Sequence, residues 1–159
     1  MKKTILAIIS VLVSTQAGAD QLSGPRLGMS FPDQQAINYL KDHGIDVNSS
    51  ISQYGWQFER RFFSTKNQVQ GITEFVPLLG GFEYNTVLAS ATWVTGLRLP
   101  TGTEFGMGPY LSINGTGIVY ALGQTITIGD LNLPLNFSYT NTANGDSVSV
   151  TMGFNLKKP

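Results

Sequence analysis

The chain of 159 residues has room for one domain, and its 10 basic and 10 acidic residues give no clustered positive charge of the kind that binds nucleic acid. Charged residues make up only 13% of the chain, about half the usual share for a soluble domain. The absence of cysteine excludes disulfides, thiolate metal sites, a cysteine nucleophile and a lipid-modified cysteine.

The first residues have the pattern of an export signal. Lys2 and Lys3 precede the apolar stretch "ILAIISVLV" at 5–13, and "AGA" at 17–19 fits a signal-peptidase site. Nine apolar residues are too few to span a bilayer, so we predict a signal peptide at 1–19 of a Gram-negative bacterial protein. No later segment is long and apolar enough for a membrane helix. A membrane-spanning form would therefore be a β-barrel.

The segment 20–51 is predicted to hold an N-terminal arm and one short helix. Residues 20–29 show no clear periodicity, which indicates a loose arm. A helix is predicted at 31–43, with Ser30 as N-cap, Pro32 in the first turn and Gly44 as the stop. Such a short helix must dock its apolar face on the barrel or sheet. That face comprises Ala36, Ile37 and Leu40.

Turn signals recur at even spacing in the predicted barrel domain, 52–159. From Thr101, Gly115, Asp130 and Asn144 the steps are 14, 15 and 14 residues, and Asn-Gly is a strong hairpin signal. This spacing predicts an up-and-down antiparallel meander without helical crossovers. The predicted strands are 53–64, 69–79, 86–99, 103–113, 117–128, 131–140 and 147–156. A closed bacterial barrel has an even number, so we expect seven or eight strands, with the eighth sought around Gly80-Gly81.

Alternate residues of a strand point to the same face, and this set of residues is called a parity here. In each predicted strand the residues of one parity are apolar, and those of the other are small and mostly uncharged. A water-facing sheet normally carries Lys and Glu, so the small polar face suits a narrow lumen better than bulk water. This favours a transmembrane barrel, while a soluble barrel with its faces reversed remains the alternative. Under the membrane interpretation the lipid-facing candidates are Trp93, Leu97, Phe105, Leu111, Ile118, Leu122, Leu133, Leu135, Phe137, Val150 and Phe154.

The cysteine-free meander, the export signal and the final strand "SVSVTMGFNL" resemble small bacterial outer-membrane β-barrel proteins. In that group the last strand carries a Gly and a late aromatic that the barrel-assembly machinery reads, and Gly153, Phe154 and Leu156 are similar to that signal. The family usually ends on the aromatic, whereas Lys157-Lys158-Pro159 follow here. The resemblance implies outer-membrane lipid and the assembly machinery as partners.

The stretch "QFERRFF" at 57–63 is the densest charge cluster. Glu59 and Arg61 share one parity, and charges that face a barrel interior are expected to pair. Arg60 lies on the apolar parity, where it would have to reach the membrane interface. A solvated strand of a soluble sheet would explain the cluster equally well. The candidates for lumen charges are Glu59, Arg61, Glu74, Arg98 and Glu104.

His43 is the only histidine, and it closes the predicted helix. A capping side chain explains it, and no metal site, cofactor or catalytic residue is predicted. The expected function is a structural or interaction role in the outer membrane, without a general pore. The alternatives are a soluble periplasmic or secreted barrel that binds an apolar ligand, and a lipid-modifying enzyme that uses His43. The parity of Ile118, Tyr120 and Leu122 tests the membrane interpretation, and Gln124 on that parity would need a partner.

Overall fold

A computed structural model describes residues 22–156. The predicted signal peptide and the last three residues lie outside this range. The elements are β1 Gly24–Pro32, α1 Gln34–Asp42, β2 Ile51–Ser64, β3 Gln70–Gly80, a 3-10 turn Phe82–Tyr84, β4 Leu88–Arg98, β5 Thr103–Ser112, β6 Gly115–Ile128, β7 Leu131–Thr142, β8 Gly145–Gly153 and β9 Asn155–Leu156.

Eight long strands form a closed antiparallel barrel. Each strand from β1 to β8 pairs with its neighbours in sequence, and β1 also pairs with β8, which closes the ring. The two-residue β9 pairs with the first residues of β7 and extends the β8 edge. The predicted meander barrel with one short helix is confirmed, and closure leaves no long strand with an unpaired edge.

A glycine with positive φ directly follows each of the two-residue turns at 113–114 and 143–144 and begins the next strand. Gly115 and Gly145 have φ of 112° and 127°, a region that residues with a Cβ rarely adopt. Each follows an asparagine that ends the turn, so the Asn-Gly signal marked both hairpins, but the asparagine itself does not have the positive φ that the signal implies. These turns join β5 to β6 and β7 to β8 at one end of the barrel, called here the helix end. The other end, called the base, carries the start of β1 and the turns after β2, β4 and β6.

The prediction of a loose arm at 20–29 was wrong for residues 24–29. Residues 24–32 form β1, which pairs with both β2 and β8 and supplies the eighth strand. No split near Gly80-Gly81 is needed, because β3 ends at Gly80 and a 3-10 turn follows. The alternation of Leu27, Met29 and Phe31 outward indicates the strand, but Gly24-Pro25 obscured it.

The helix begins later than predicted. Asp33 is the N-cap, because its carboxylate accepts a hydrogen bond of 2.8 Å from the Ala36 backbone N–H. The predicted N-cap, Ser30, lies within β1, and Ser149 Oγ donates to its hydroxyl at 3.0 Å. Pro32 is the last residue of β1 and not part of the first helical turn.

Helix α1 and the segment after it cross the helix end of the barrel. At the start of the helix, the Asp33 N–H donates to the Asp146 carbonyl at 2.8 Å, beside the β7–β8 turn. At the far side, Leu40 and Val47 pack with Ile51 of β2 in a small apolar core. The half-buried side chains against this core are Ile45, Tyr84 and Leu88. Asp146 belongs to β8 and Leu88 to β4, and these two strands lie on opposite sides of the eight-stranded ring. The contacts at both sides therefore hold the segment across the opening of the barrel.

Removing the N-cap should loosen this closure. We expect Asp33→Ala to lower the free energy of unfolding by about 1 kcal/mol, because the first turn of α1 loses a side-chain acceptor. Urea titration of the purified protein measures the change. Asp33→Asn keeps an acceptor oxygen and should lose much less. An equal loss in both variants would show that the carboxylate does not act as a cap.

Candidate functional site

A buried ion-pair network fills the base half of the barrel interior. Arg98, the last residue of β4, donates from Nη1 and Nη2 to both Glu59 oxygens at 2.7 and 2.5 Å. Its Nε donates to Glu104 Oε1 at 2.7 Å, and the Thr125 hydroxyl donates to the same oxygen at 3.1 Å. One guanidinium therefore holds two buried carboxylates. A planar guanidinium can bind two carboxylates in this way through its several N–H groups, whereas the single ammonium group of a lysine cannot.

A second chain of hydrogen bonds links β1, β2 and β3. Arg26 is 1% exposed, and its Nε donates to Gln57 Oε1 at 2.9 Å. Its other nitrogens donate to the carbonyls of Leu22 and Pro25, both at 3.0 Å. The Gln57 amide in turn donates to Glu74 Oε1 at 2.5 Å. Because Arg26 binds its oxygen, the Gln57 amide has one favourable orientation.

The structure brings most of the predicted lumen charges together. Glu59, Arg98 and Glu104 form one network, and Glu74 is buried beside it in the second chain. Arg61 has the same inward parity on β2 and is half-buried. Sequence reasoning missed Arg26, because its strand was interpreted as a loose arm.

A glycine makes space for the network. Gly123 of β6 faces Asn136 on β7 across the strand pair, and a Cβ at this position would collide with the Asn136 amide oxygen. The same Cβ would lie 3.6 Å from the Cβ of Glu104. Glycine at this inward position therefore leaves room for the carboxylate and the amide in the narrow lumen.

Above the network lies a cavity of about 70 Å³. Side chains from seven strands, β2 to β8, line it. Its walls mix aliphatic groups with hydroxyls, amides and one carboxylate, that of Glu74. The polar lining residues include Gln53, Gln57, Glu74, Thr92, Tyr110 and Asn136.

The outer surface of the barrel is apolar. Ile118, Tyr120 and Leu122 are 45%, 48% and 56% exposed, so this parity of β6 points away from the interior. Of the eleven lipid-facing candidates, two, Leu97 and Leu133, are half-buried. The nine exposed ones are Trp93, Phe105, Leu111, Ile118, Leu122, Leu135, Phe137, Val150 and Phe154. A continuous apolar surface of this kind on a single chain marks an interaction with lipid or protein.

Aromatic side chains of three adjacent strands touch on this outer surface. Phe58 pairs in register with Phe75, and Phe75 with Trp93. Their ring centroids are 6.4 and 6.2 Å apart. The Trp93 indole N–H donates to the Thr73 hydroxyl at 2.8 Å, so its polar atom has a partner on the apolar face.

Two polar residues on the apolar parity, Gln124 and Arg60, lie in the halves of their strands that lead to the base. Gln124 accepts a hydrogen bond from the Thr103 hydroxyl at 2.8 Å, and its amide donates to the Thr101 carbonyl at 2.9 Å. The amide is therefore satisfied within the protein. Arg60 is exposed on the outer face of β2, in the half of the strand that leads to the base. A long cationic side chain there can reach polar surroundings at the rim.

His43 is the C-cap of α1 and is exposed. Its Nδ1 is 2.8 Å from the Tyr39 carbonyl oxygen, and its ring packs on the Tyr39 ring at a centroid distance of 4.3 Å. This is the geometry of a capping side chain. Across residues 22–156, no three His, Cys, Asp or Glu side chains are grouped as for a metal ion, and no helix is long and apolar enough to cross a membrane.

No protein-family model matches the chain, and no curated protein matches it significantly in sequence. Of solved structures, the chain is similar to Ail, the attachment invasion locus protein of Yersinia pestis, determined in complex with the heparin analogue sucrose octasulfate. The match covers 88% of this chain and 100% of that chain, at 12% identity and a TM-score of 0.34. At this identity and TM-score, the similarity assigns no function to the chain.

Proposed function

We propose that this protein is a bacterial outer-membrane β-barrel with a structural or interaction role, and not a general pore or an enzyme. The observation that carries the proposal is that charged side chains lie inside the barrel and apolar side chains lie outside it, the reverse of a water-soluble barrel. Arg26, Glu59, Arg98 and Glu104 are buried inside the barrel, while large apolar side chains cover the outside. A water-soluble barrel has the opposite arrangement, because its apolar side chains form the core.

The dimensions of the barrel fit a bilayer. The eight long strands have 9 to 14 residues, and a tilted transmembrane strand needs about 9–11. All backbone groups of the closed ring can pair between strands, as the hydrocarbon region requires. The predicted signal peptide at 1–19 supports export, and the Gly153, Phe154 and Leu156 pattern supports recognition by the barrel-assembly machinery.

The orientation follows from the two ends. The longest connection, residues 33–50 with α1, lies at the helix end, and the base carries the turns 65–69, 99–102 and 129–130. Outer-membrane barrels have short periplasmic turns and longer external loops. We therefore place the base in the periplasm and α1 at the outer surface. An interaction partner would meet α1 and the turn beside it.

The interior does not support a diffusion pore. The Arg98 and Arg26 networks fill the base half, and α1 lies across the opposite end. An eight-stranded barrel is also just wide enough for side chains to fill. The alternative of an apolar ligand inside the barrel is disfavoured, because a cavity of about 70 Å³ is far smaller than typical ligand pockets.

Cell fractionation tests the location. We expect the protein to sediment with the outer membrane, to need detergent for extraction, and to migrate differently on gels with and without boiling. The physical reason is that the outer apolar surface is stable only against acyl chains, and a closed barrel resists unfolding by SDS. Recovery in the soluble periplasmic fraction without detergent would contradict the proposal.

A further inference from the structure

A cationic side chain lies on the apolar outer face, in the half of the barrel that leads to the base. Arg60 is exposed on β2, four residues before that strand ends at Ser64. Within residues 22–156, no hydrogen bond, ion pair or ring contact joins Arg60 to another group of the chain. Acyl chains offer a guanidinium no acceptor, so the surroundings of the barrel have to supply its partner.

Two hydroxyl groups lie beside Arg60 on the same outer face. Arg60 pairs directly with Thr73 of β3, and Thr73 pairs directly with Thr95 of β4. Thr73 is three residues from the base end of β3 at Gln70, and Thr95 is three residues from the base end of β4 at Arg98. Directly opposed residues on one face have Cβ atoms about 5 Å apart, so the long Arg60 side chain can share a ligand with the two threonines.

The hydrogen bonds among these groups leave one hydroxyl proton without an acceptor. The Trp93 indole N–H donates to Thr73 Oγ1 at 2.8 Å, and Thr73 Oγ1 lies 3.2 Å from Thr95 Oγ1. Thr73 can donate its proton to Thr95, or to the Val94 carbonyl at 3.3 Å. When Thr73 donates to Thr95, the exposed Thr95 hydroxyl retains a proton that has no acceptor among the described residues. An arginine and a hydroxyl donor are the side chains that commonly bind phosphate oxygens.

The apolar surface next to these polar groups has the shape of a lipid contact. Phe58 precedes Arg60 on the same parity of β2, on the side that leads to the middle of the barrel. Its ring stacks on Phe75, and Phe75 contacts Trp93 edge to face. A lipid whose headgroup lies at Arg60 would therefore pack its acyl chains on this row of aromatic rings.

The charge around Arg60 favours an anionic ligand. Lys66 is exposed in the turn after β2 and adds a second cation at the same side of the base. At the base, the acidic side chains of the described residues lie elsewhere: Glu59 and Glu104 are buried in the interior, and Asp130 is in the turn after β6. Strand β6 is on the opposite side of the ring from β2.

We propose that the outer surface formed by Arg60, Thr73 and Thr95 binds the headgroup phosphate of an anionic phospholipid. The inference rests on the proposed function, because it needs the barrel in a membrane with the base in the periplasm. The guanidinium binds phosphate oxygens through its parallel N–H groups, and the Thr95 hydroxyl donates to another oxygen. A zwitterionic headgroup carries its own cation beside the phosphate, so the two cations favour a lipid without one.

Trp93 reports on the lipid at this surface, because its indole N–H donates to Thr73. Trp56→Phe leaves Trp93 as the single tryptophan of the full mature chain. This protein is refolded into phosphatidylcholine vesicles with a minor fraction of phosphatidylglycerol, and either one lipid or the other has brominated acyl chains. Quenching by bromine is local, so the two quenching curves give the relative affinity at Trp93. We expect phosphatidylglycerol to bind about fivefold more tightly than phosphatidylcholine.

Two substitutions and one control locate the preference. Arg60→Gln should reduce the preference to about one, because the charge that selects the headgroup is removed. Thr95→Val keeps the shape of the side chain but loses the hydroxyl, and should weaken the preference by about twofold. Lys41→Gln removes an exposed cation at the helix end and should leave the preference unchanged.

The outcomes separate this site from the membrane location. Flotation of the protein with the vesicles is measured first, and a protein that does not float would overturn both the location and the site. With flotation established, equal affinity for the two lipids, or an unchanged preference in Arg60→Gln, would overturn the lipid site alone. Quenching by neither brominated lipid would show that protein, such as a second copy of the chain, covers this face, and would also overturn it.

Discussion

Arg98→Met is expected to lower the free energy of unfolding by about 3–5 kcal/mol. The substitution leaves Glu59 and Glu104 buried without the guanidinium that binds both of them. Removing one partner of a buried ion pair has this large effect because the remaining charge cannot regain its hydration. Urea titration in lipid vesicles, followed by tryptophan fluorescence, measures the loss.

Two variants show that the loss comes from the buried charges. Arg60→Met removes an arginine from the outer face of β2 and should change stability by less than about 0.5 kcal/mol. The triple variant Glu59→Gln, Arg98→Met and Glu104→Gln removes all three charges of the Arg98 network and should regain much of the lost stability. If Arg98→Met unfolds at the wild-type urea concentration, the network does not stabilise the barrel.

Leu122→Arg should lower the free energy of unfolding in phospholipid vesicles by about 2–4 kcal/mol. Leu122 lies in the middle of β6 on the outer face, between Phe105 and Phe137 of the neighbouring strands. An arginine at mid-membrane depth on the lipid face of a barrel has a cost of this size. On a water-facing surface the same substitution would be nearly neutral.

Ile128→Arg is the matched control on the same strand. Ile128 has the same outward parity but is the last residue of β6, beside the turn at the base. An arginine there reaches polar surroundings, and we expect a loss of only about 0–1 kcal/mol. Equal effects of the two substitutions would mean that no depth-dependent hydrocarbon layer surrounds the strand.

Local signals predicted strands β2 to β8 to within a few residues. The alternation of side chains and the Asn-Gly turns depend on neighbours in sequence, so the pattern could be interpreted without the fold. Strand β1 was missed because Gly24-Pro25 resembles a loop, and a closed ring supplies its partners from residues 51–57 and 147–153. The N-cap was misplaced for a related reason: Ser30 lies in a strand that was not predicted.

The candidate site could be predicted in part. Parity along the strands indicated which charges share a face, including Glu59 and Arg98. Which of them meet depends on the register between strands far apart in sequence, such as β2 and β4. The Arg26–Gln57–Glu74 chain needs β1 in place, so no local pattern could have revealed it. The cavity results from side-chain sizes on seven strands and has no sequence signal of its own.

Fluorescence quenching of the two tryptophans tests most directly whether the outer surface contacts lipid. Trp56 and Trp93, the only tryptophans of the chain, are 45% and 40% exposed on the outer face. In vesicles of lipids with brominated acyl chains, we expect blue-shifted emission that the bromines quench strongly and that aqueous iodide quenches little. Emission that iodide quenches and brominated lipid leaves unchanged would contradict a membrane-spanning barrel.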